Sequence, residues 1–182
     1  MLRSDKTLVA IVAGLIVLVV AAFVIVLRQP SLSYLGAQAP EGAANDYVLA
    51  LARGDYAKAY GLLSEGLPGR PKTLDAFIRD VDEQPWTFGT SGEPASLRVL
   101  SAERTTDESG AELATVLIER TVFMERGLLD NGESSETAKL RLRRTAEGTW
   151  RITGGDRFLH ACWVDSADCY RMLKAPEPEV TP

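Results

Sequence analysis

The sequence predicts an α+β protein: an N-terminal transmembrane helix, then a domain of about three helices packed on a curved, four-stranded antiparallel sheet. Three observations lead to this fold class. An apolar run long enough to span a membrane lies near the amino terminus. Three segments then repeat apolar residues with a helical period, and four later segments alternate with the period of strands.

The apolar run covers residues 8–27, "LVAIVAGLIVLVVAAFVIVL", which contain no charged or hydroxyl side chain. At about 1.5 Å per residue a helix of this length spans roughly 30 Å, the thickness of a bilayer core. A cleaved signal peptide is the competing interpretation, but its apolar core is usually about 7 to 15 residues long. Arg3 and Lys6 precede the run and only Arg28 follows it, which predicts a single-pass protein of the cell membrane with a cytoplasmic N-terminus.

The predicted organisation has five parts: a cytoplasmic leader at 1–7, the transmembrane helix at 8–27, a linker at 28–42, an extracytoplasmic domain at 43–173 and a disordered tail at 174–182. The linker contains Pro, Ser and Gly without a sustained period, and the tail is rich in Pro and Glu. Without the charged residues around the span, 17 of the 20 basic and 24 of the 25 acidic residues remain, a net charge of −7. Such an acidic domain argues against a nucleic-acid partner.

The first predicted helix has its apolar residues on one face: Ala44, Tyr47, Val48 and Leu51. Gly54 is expected to end it, and Asp55 and Thr73 are expected to cap the second and third helices.

Strands are predicted at 96–105, 112–125, 135–145 and 149–157. The short Gly-, Asn- and Asp-rich links "TDESGA", "GLLDNGES" and "AEGT" indicate an antiparallel meander. The third strand alternates apolar and basic residues: Ala138, Leu140 and Leu142 against Lys139, Arg141 and Arg143.

This order of elements resembles the cone-shaped fold of the nuclear transport factor 2-like superfamily. The phrase "YVLALARGDYAKAYGLLSEGLP" is similar to the paired opening helices of its membrane-anchored bacterial extracytoplasmic members, and "AEGTWRI" is similar to their last hairpin. The resemblance covers Ala43 to Phe158. It implies a pocket between the helices and the concave sheet, which the enzymes of the superfamily use for isomerase or dehydratase chemistry and many other members leave without catalytic groups.

Five residues are candidates for the wall of that pocket: Tyr47, Tyr60, Phe77, Trp86 and Arg120. Glu119 and Arg120 are neighbours in the second strand, so one of them should point to the concave face. An inward Glu119 would be a desolvated general base, whereas an inward Arg120 would attract an anion. The alternative is a cross-strand ion pair at the sheet edge. His160 is a second catalytic candidate, and its alternative role is packing.

Cys162 and Cys169 are the two cysteines of the chain, and in an oxidising compartment such a pair favours a disulfide. Free or redox-active thiols are one alternative, although no Cys-x-x-Cys occurs. A metal site that adds His160 and either Asp165 or Asp168 is another, but the spacing fits no standard zinc motif. We therefore expect neither a metal nor a cofactor.

The sequence favours a non-catalytic binding or assembly module of the bacterial cell envelope, anchored through residues 8–27 and recognising a protein partner. Two alternatives stay open. One is an isomerase or dehydratase-like enzyme that uses Glu119 or His160 as its base. The other is an accessory subunit of a larger membrane complex, and a homo-oligomer is compatible with each of these interpretations.

Overall fold

The computed structural model describes residue 9 and residues 11–20, 32–90, 94–125 and 131–164. Contacts divide the chain into two compact units, with the boundary between Ser33 and Tyr34. The first unit contains helix α1, described over residues 11–20. In the described part of the chain, no helix is both apolar and long enough to cross a membrane. The predicted span also includes residues 8, 10 and 21–27, which lie outside the described residues, so the membrane anchor stays a prediction.

The second unit contains five described helices: α2 (Pro40–Ala52), α3 (Tyr56–Leu62), α4 (Leu74–Glu83), α5 (Pro85–Phe88) and α6 (Ala161–Val164). The predicted caps are confirmed. The Asp55 carboxylate accepts a hydrogen bond from the Lys58 backbone N–H, and the Thr73 hydroxyl accepts one from that of Ala76. Helices α5 and α6 were not predicted, because each is a single turn without a repeating apolar pattern.

The four strands are β1 (Pro94–Thr106), β2 (Glu112–Glu125), β3 (Asn131–Arg144) and β4 (Trp150–Gly155). They pair antiparallel in the order β1-β2-β3-β4, which confirms the predicted meander. Most predicted boundaries lie within two residues of the observed ones, but the start of β3 was wrong. Strand β3 begins at Asn131, so the second half of the link "GLLDNGES" belongs to the sheet, where residues 131–134 pair with β2.

The inner face of the sheet packs against the helices. In β3 the apolar residues Ala138, Leu140 and Leu142 are buried, and the basic residues between them are exposed, as their alternation predicts. Helix α2 departs from the expected one-sided pattern, because all ten residues from 42 to 51 are buried. A helix becomes buried all round when other elements cover the side opposite the sheet.

Part of that cover comes from residues 34–39, which the sequence assigned to the linker 28–42. The Asp46 carboxylate of α2 accepts hydrogen bonds from the backbone N–H groups of Leu35 (2.6 Å) and Gly36 (3.0 Å). The Ala37 carbonyl accepts one from the Trp150 N–H of β4 (2.8 Å). The linker prediction is corrected here, since these bonds fix the segment to the domain, and we call residues 34–39 the N-terminal strap.

Candidate functional site

The interior between the helices and the sheet is where the resemblance predicts a pocket. Phe77 of α4 is buried there, 0% exposed, with the Tyr60 and Trp163 rings at 5.6 and 5.4 Å between centroids. Phe88 lies 5.1 Å from Trp163 and 6.5 Å from Phe77. These are contact distances for aromatic pairs. The chain's own side chains therefore occupy this end of the interior.

Trp163 reaches the interior from α6, after the last strand. Its indole Nε1–H donates to Oδ2 of Asp80 in α4 (2.9 Å), which satisfies the one polar atom of a side chain that is 2% exposed. Its carbonyl accepts a hydrogen bond from the Gly69 N–H (3.0 Å). A side chain at position 69 would collide with the Cys162 carbonyl, so glycine allows this close approach. We call residues 156–164 the C-terminal plug.

His160 belongs to the C-terminal plug and is half-buried. Its Nδ1 accepts a hydrogen bond from the Cys162 backbone N–H (3.1 Å), and its Nε2 lies 2.8 Å from the side-chain amide of Gln84. Because Nδ1 accepts a hydrogen bond, the neutral imidazole carries its proton on Nε2. This N–H donates to Gln84 when the side-chain amide of Gln84 is oriented with its oxygen towards the ring. The Nδ1 contact therefore lies within the plug, and the Nε2 contact joins the plug to Gln84 between α4 and α5.

Of the two neighbours in β2, Arg120 is the one that faces inward, 3% exposed, whereas Glu119 is half-buried on the opposite face of the strand. Nη1 of Arg120 forms an ion pair with Oε1 of Glu136 in β3 (2.8 Å), directly across in the register. Arg157 binds the other oxygen of the same carboxylate (2.9 Å). The pair is a cross-strand ion pair, as the alternative expected, but it joins the two central strands instead of lying at the sheet edge, and its arginine faces inward near Gly89.

Tyr47 is fully buried, and its hydroxyl donates to the Phe158 carbonyl (2.6 Å). Burial holds the pKa of this phenol well above its ordinary value. Phe158 has a left-handed φ of 62°, unusual for a residue with a side chain, and its N–H donates to the Thr87 carbonyl (3.1 Å). Tyr47 and Thr87 thus fix the start of the C-terminal plug, and the Tyr47 hydroxyl is engaged within the chain.

The remaining pocket candidates lie at the margins. The Tyr60 hydroxyl donates to the Pro71 carbonyl (2.9 Å), and the Arg70 guanidinium stacks over the Tyr60 ring at 4.4 Å. Trp86 is 82% exposed on α5 and does not contribute to the interior.

Of the two predicted disulfide cysteines, Cys162 is not a free thiol, and Cys169 lies outside the described residues, so their pairing stays a prediction. No group of three potential metal ligands occurs within the described ranges.

The outer face of the sheet carries a second arrangement, which we call the basic face: Lys139, Arg141, Arg143 and Arg151. The first three alternate along β3, and Arg151 of β4 lies directly opposite Arg143. Arg143 forms an ion pair with Asp107 at 3.4 Å. For Lys139, Arg141 and Arg151, no acidic partner lies within ion-pair distance in the described part of the chain. These three charges are therefore available to solvent or to a partner.

A groove of about 370 Å³ adjoins the basic face, between the loop after α3 and the β3–β4 turn. Its polar lining comes from both sides: Ser64, Glu65, Arg70, Thr145, Glu147 and Arg151. Arg151 thus belongs both to the groove and to the basic face. The groove and the basic face therefore meet at Arg151, whose guanidinium can bind a carboxylate in a bidentate manner.

Sequence reasoning missed three residues that organise the domain. Asp46 is a carboxylate 1% exposed within the apolar phrase "AANDYVLALA", and a charged residue inside a buried helix was the available signal. Trp163 stands next to Cys162, and a tryptophan beyond the last strand was the signal that the chain returns to the core. Asp80, the acceptor for Trp163, left no signal, because it occupies an ordinary polar position of α4.

The described domain is an α+β unit with helices on one face of a four-stranded antiparallel meander. No family model matches the chain, and no curated protein matches it in sequence. Solved structures resemble it at low identity. A SEC-C motif containing protein from Rhodopseudomonas palustris is 20% identical, with a TM-score of 0.45 over 67% of this chain and 80% of that one.

A nuclear transport factor 2-like superfamily protein from Salmonella enterica is 11% identical, with a TM-score of 0.39 over 66% of this chain and 89% of that one. The helical cell shape determining protein Pgp2 from Campylobacter jejuni is 8% identical, with a TM-score of 0.44 over 63% of this chain and 38% of that one. None of these values assigns the chain to a family.

Proposed function

We propose that this chain is a membrane-anchored binding module of the bacterial cell envelope, without a catalytic centre, that docks an acidic segment of a protein partner on the basic face. One contrast carries the proposal. Trp163 of the C-terminal plug packs against Phe77 and Phe88 at one end of the interior, whereas three cations of the outer sheet face have no acidic partner in the described residues. Nuclear transport factor 2-like membership is part of this proposal, supported by the order of the elements.

The occupied interior supports a non-catalytic role. A small-molecule enzyme needs space beside its general base, and the two candidate bases lack it. Both His160 nitrogens are within hydrogen-bond distance of groups in the chain, and Glu119 lies on the outer side of β2. The inward group is Arg120, already paired with Glu136 at 2.8 Å.

The charge distribution supports an acidic partner. The domain carries a net charge of −7 by sequence, yet four basic residues cluster on one face of β3 and β4. Such a charge distribution attracts an acidic partner to the basic face and repels it from the rest of the surface. It therefore orients the partner as it approaches and raises the association rate. Bidentate contacts from Arg141 and Arg151 would then fix the partner's carboxylates.

The cellular location is supported by the sequence alone. The apolar run at 8–27, the basic residues ahead of it and the cysteine pair after it are together typical of an anchored extracytoplasmic domain. A module placed there and lacking chemistry of its own fits an accessory subunit of a membrane complex.

The test is the affinity of the full chain, held in neutral detergent, for a fluorescent hexaglutamate peptide at low ionic strength. Arg141→Glu should weaken binding roughly 3- to 10-fold, because a solvated ion pair of up to about 1 kcal/mol becomes a repulsion. Lys72→Glu makes the same charge change at an exposed site away from the sheet, and should alter binding less than about twofold. Equal affinities of the two variants would contradict the proposal.

A further inference from the structure

Strand β1 leaves one edge of the sheet open. It pairs with β2 on one side, and no backbone hydrogen bond joins its other side to any described residue. The opposite edge of the sheet is covered: Trp150 bonds to Ala37, and Ile152 accepts a hydrogen bond from Ser64 (2.8 Å). A long unpaired edge is a template for pairing with another strand, which proteins usually protect.

A bulge in β1 changes which of its side chains share a face. Val99 pairs with Ile118 and Ser101 pairs with Leu117, so Leu100 is an extra residue. As a result Arg98 and Glu103, five positions apart, lie on the same outer face, opposite Glu119 and Thr115. Without the bulge, an odd separation would put them on opposite faces. Both side chains are exposed.

The edge also presents an apolar side chain. The Leu100 side chain is 47% exposed. In the described part of the second unit, the other exposed large apolar residues are Leu35 and Trp86. Leu100 lies between Arg98 and Glu103, so the edge offers a cation, an apolar group and an anion in sequence. A strand of this pattern complements an antiparallel copy of itself.

We infer that two copies of this chain pair through β1, edge to edge and antiparallel. In the register that this pattern specifies, Arg98 of each copy lies opposite Glu103 of the other, and Val99 lies opposite Ala102. The bulge keeps each of these pairs on a single face, and the two Leu100 side chains lie beside the twofold axis. The result is a continuous eight-stranded sheet with two reciprocal ion pairs.

The second copy is favoured over an unrelated strand because the complementarity is reciprocal: one twofold operation satisfies both charges at once. The contact between two strand edges is smaller than the roughly 1,200 Å² typical of stable complexes, so the dimer is weak and dissociates on dilution. Its exposed ion pairs also make it sensitive to salt. This inference does not depend on the proposed function, because the basic face lies on β3 and β4.

The experiment is sedimentation equilibrium of the full chain in a density-matched neutral detergent. The wild-type chain should show a monomer–dimer equilibrium. Arg98→Glu and Glu103→Arg should each weaken it by about tenfold or more, since both ion pairs become repulsions. An equimolar mixture of the two variants should restore dimers, because one chain then carries a cation at both positions and its partner carries an anion at both. The double variant R98E/E103R should also dimerise.

Two matched controls lie outside β1, both at exposed positions: Lys72→Glu before α4 and Glu108→Arg in the β1–β2 turn should leave the equilibrium unchanged. Melting temperatures identify any variant that loses association by unfolding. A wild-type chain that stays monomeric throughout, single variants that dimerise as well as wild type, or a mixture that fails to recover dimers would each overturn the inference.

Discussion

Arg120 shows how one residue decides the character of the interior. Its side chain is 3% exposed, and Glu136 lies 2.8 Å away, so the buried guanidinium has a carboxylate partner. The same carboxylate binds the exposed Arg157. The inward position that an enzyme would give to a base is therefore held by a paired cation, which fits a structural role.

Trp163 should contribute much of the stability of the domain. Trp163→Ala removes a stacked ring and leaves Asp80 without its donor, so we expect the free energy of unfolding to fall by about 3–5 kcal/mol. Trp86→Ala is the matched control, because that ring is 82% exposed, and its cost should stay within about 0.5 kcal/mol. Urea unfolding of the full chain in detergent measures both. Equal losses would show that the plug does not fill the core.

Tyr47 should make stability depend on alkaline pH. Burial raises the pKa of its phenol, so the folded state holds the proton more tightly than the unfolded chain. The corresponding stability is fully present below the ordinary pKa near 10 and is lost as the pH rises towards the folded pKa.

Tyr47→Phe should lower the free energy of unfolding by about 1–3 kcal/mol at pH 7, because the Phe158 carbonyl loses its donor. Unfolding curves between pH 7 and about 11 should show a shallower decline for the variant than for wild type. Parallel declines would contradict this role.

At the scale of elements, the Asp46 carboxylate holds the middle of the N-terminal strap through two hydrogen bonds. Asp46→Ala leaves the N–H groups of Leu35 and Gly36 without their acceptor, which should cost about 1.5–3 kcal/mol. Amide hydrogen exchange at these two strap residues should accelerate more than in α2. Asp107→Ala is the matched control, since it removes the acceptor of two N–H groups in an exposed turn, and faster exchange there should stay within that turn. Protection of Leu35 and Gly36 in the Asp46 variant would show that other contacts hold the strap.

Local signals predicted the elements, whereas tertiary contacts decided what surrounds them. Asp55, Thr73 and the alternation in β3 act over a few residues, so the helix starts and the meander were predictable. The orientation of β2 was not, because apolar residues lie on both faces and only the register with β3 turns Arg120 inward. The strap and the plug depend on contacts between residues ten or more positions apart, such as Leu35 with Asp46 and Trp163 with Asp80.

At the scale of the whole molecule, the proposed topology puts residues 34–182 on the extracytoplasmic side of the membrane. Protease added to right-side-out spheroplasts of the native host should remove a tag at the carboxyl terminus and spare one at the amino terminus, since the basic residues favour a cytoplasmic start. The same cells, alkylated before any reductant is added, should yield Cys162 and Cys169 unmodified and linked. A protected carboxyl-terminal tag would reverse the topology, and two alkylated thiols would exclude the disulfide.

The most direct test of the central claim, that this domain binds on its outer face and not in its interior, is chemical-shift mapping. The full chain, isotopically labelled and held in neutral detergent, is titrated with hexaglutamate peptide. The account predicts changes at Lys139, Arg141 and Arg151 that disappear in Arg141→Glu, with the indole signal of Trp163 unmoved. Changes centred on Trp163, Phe77 and Arg120, with the basic face silent, would contradict it.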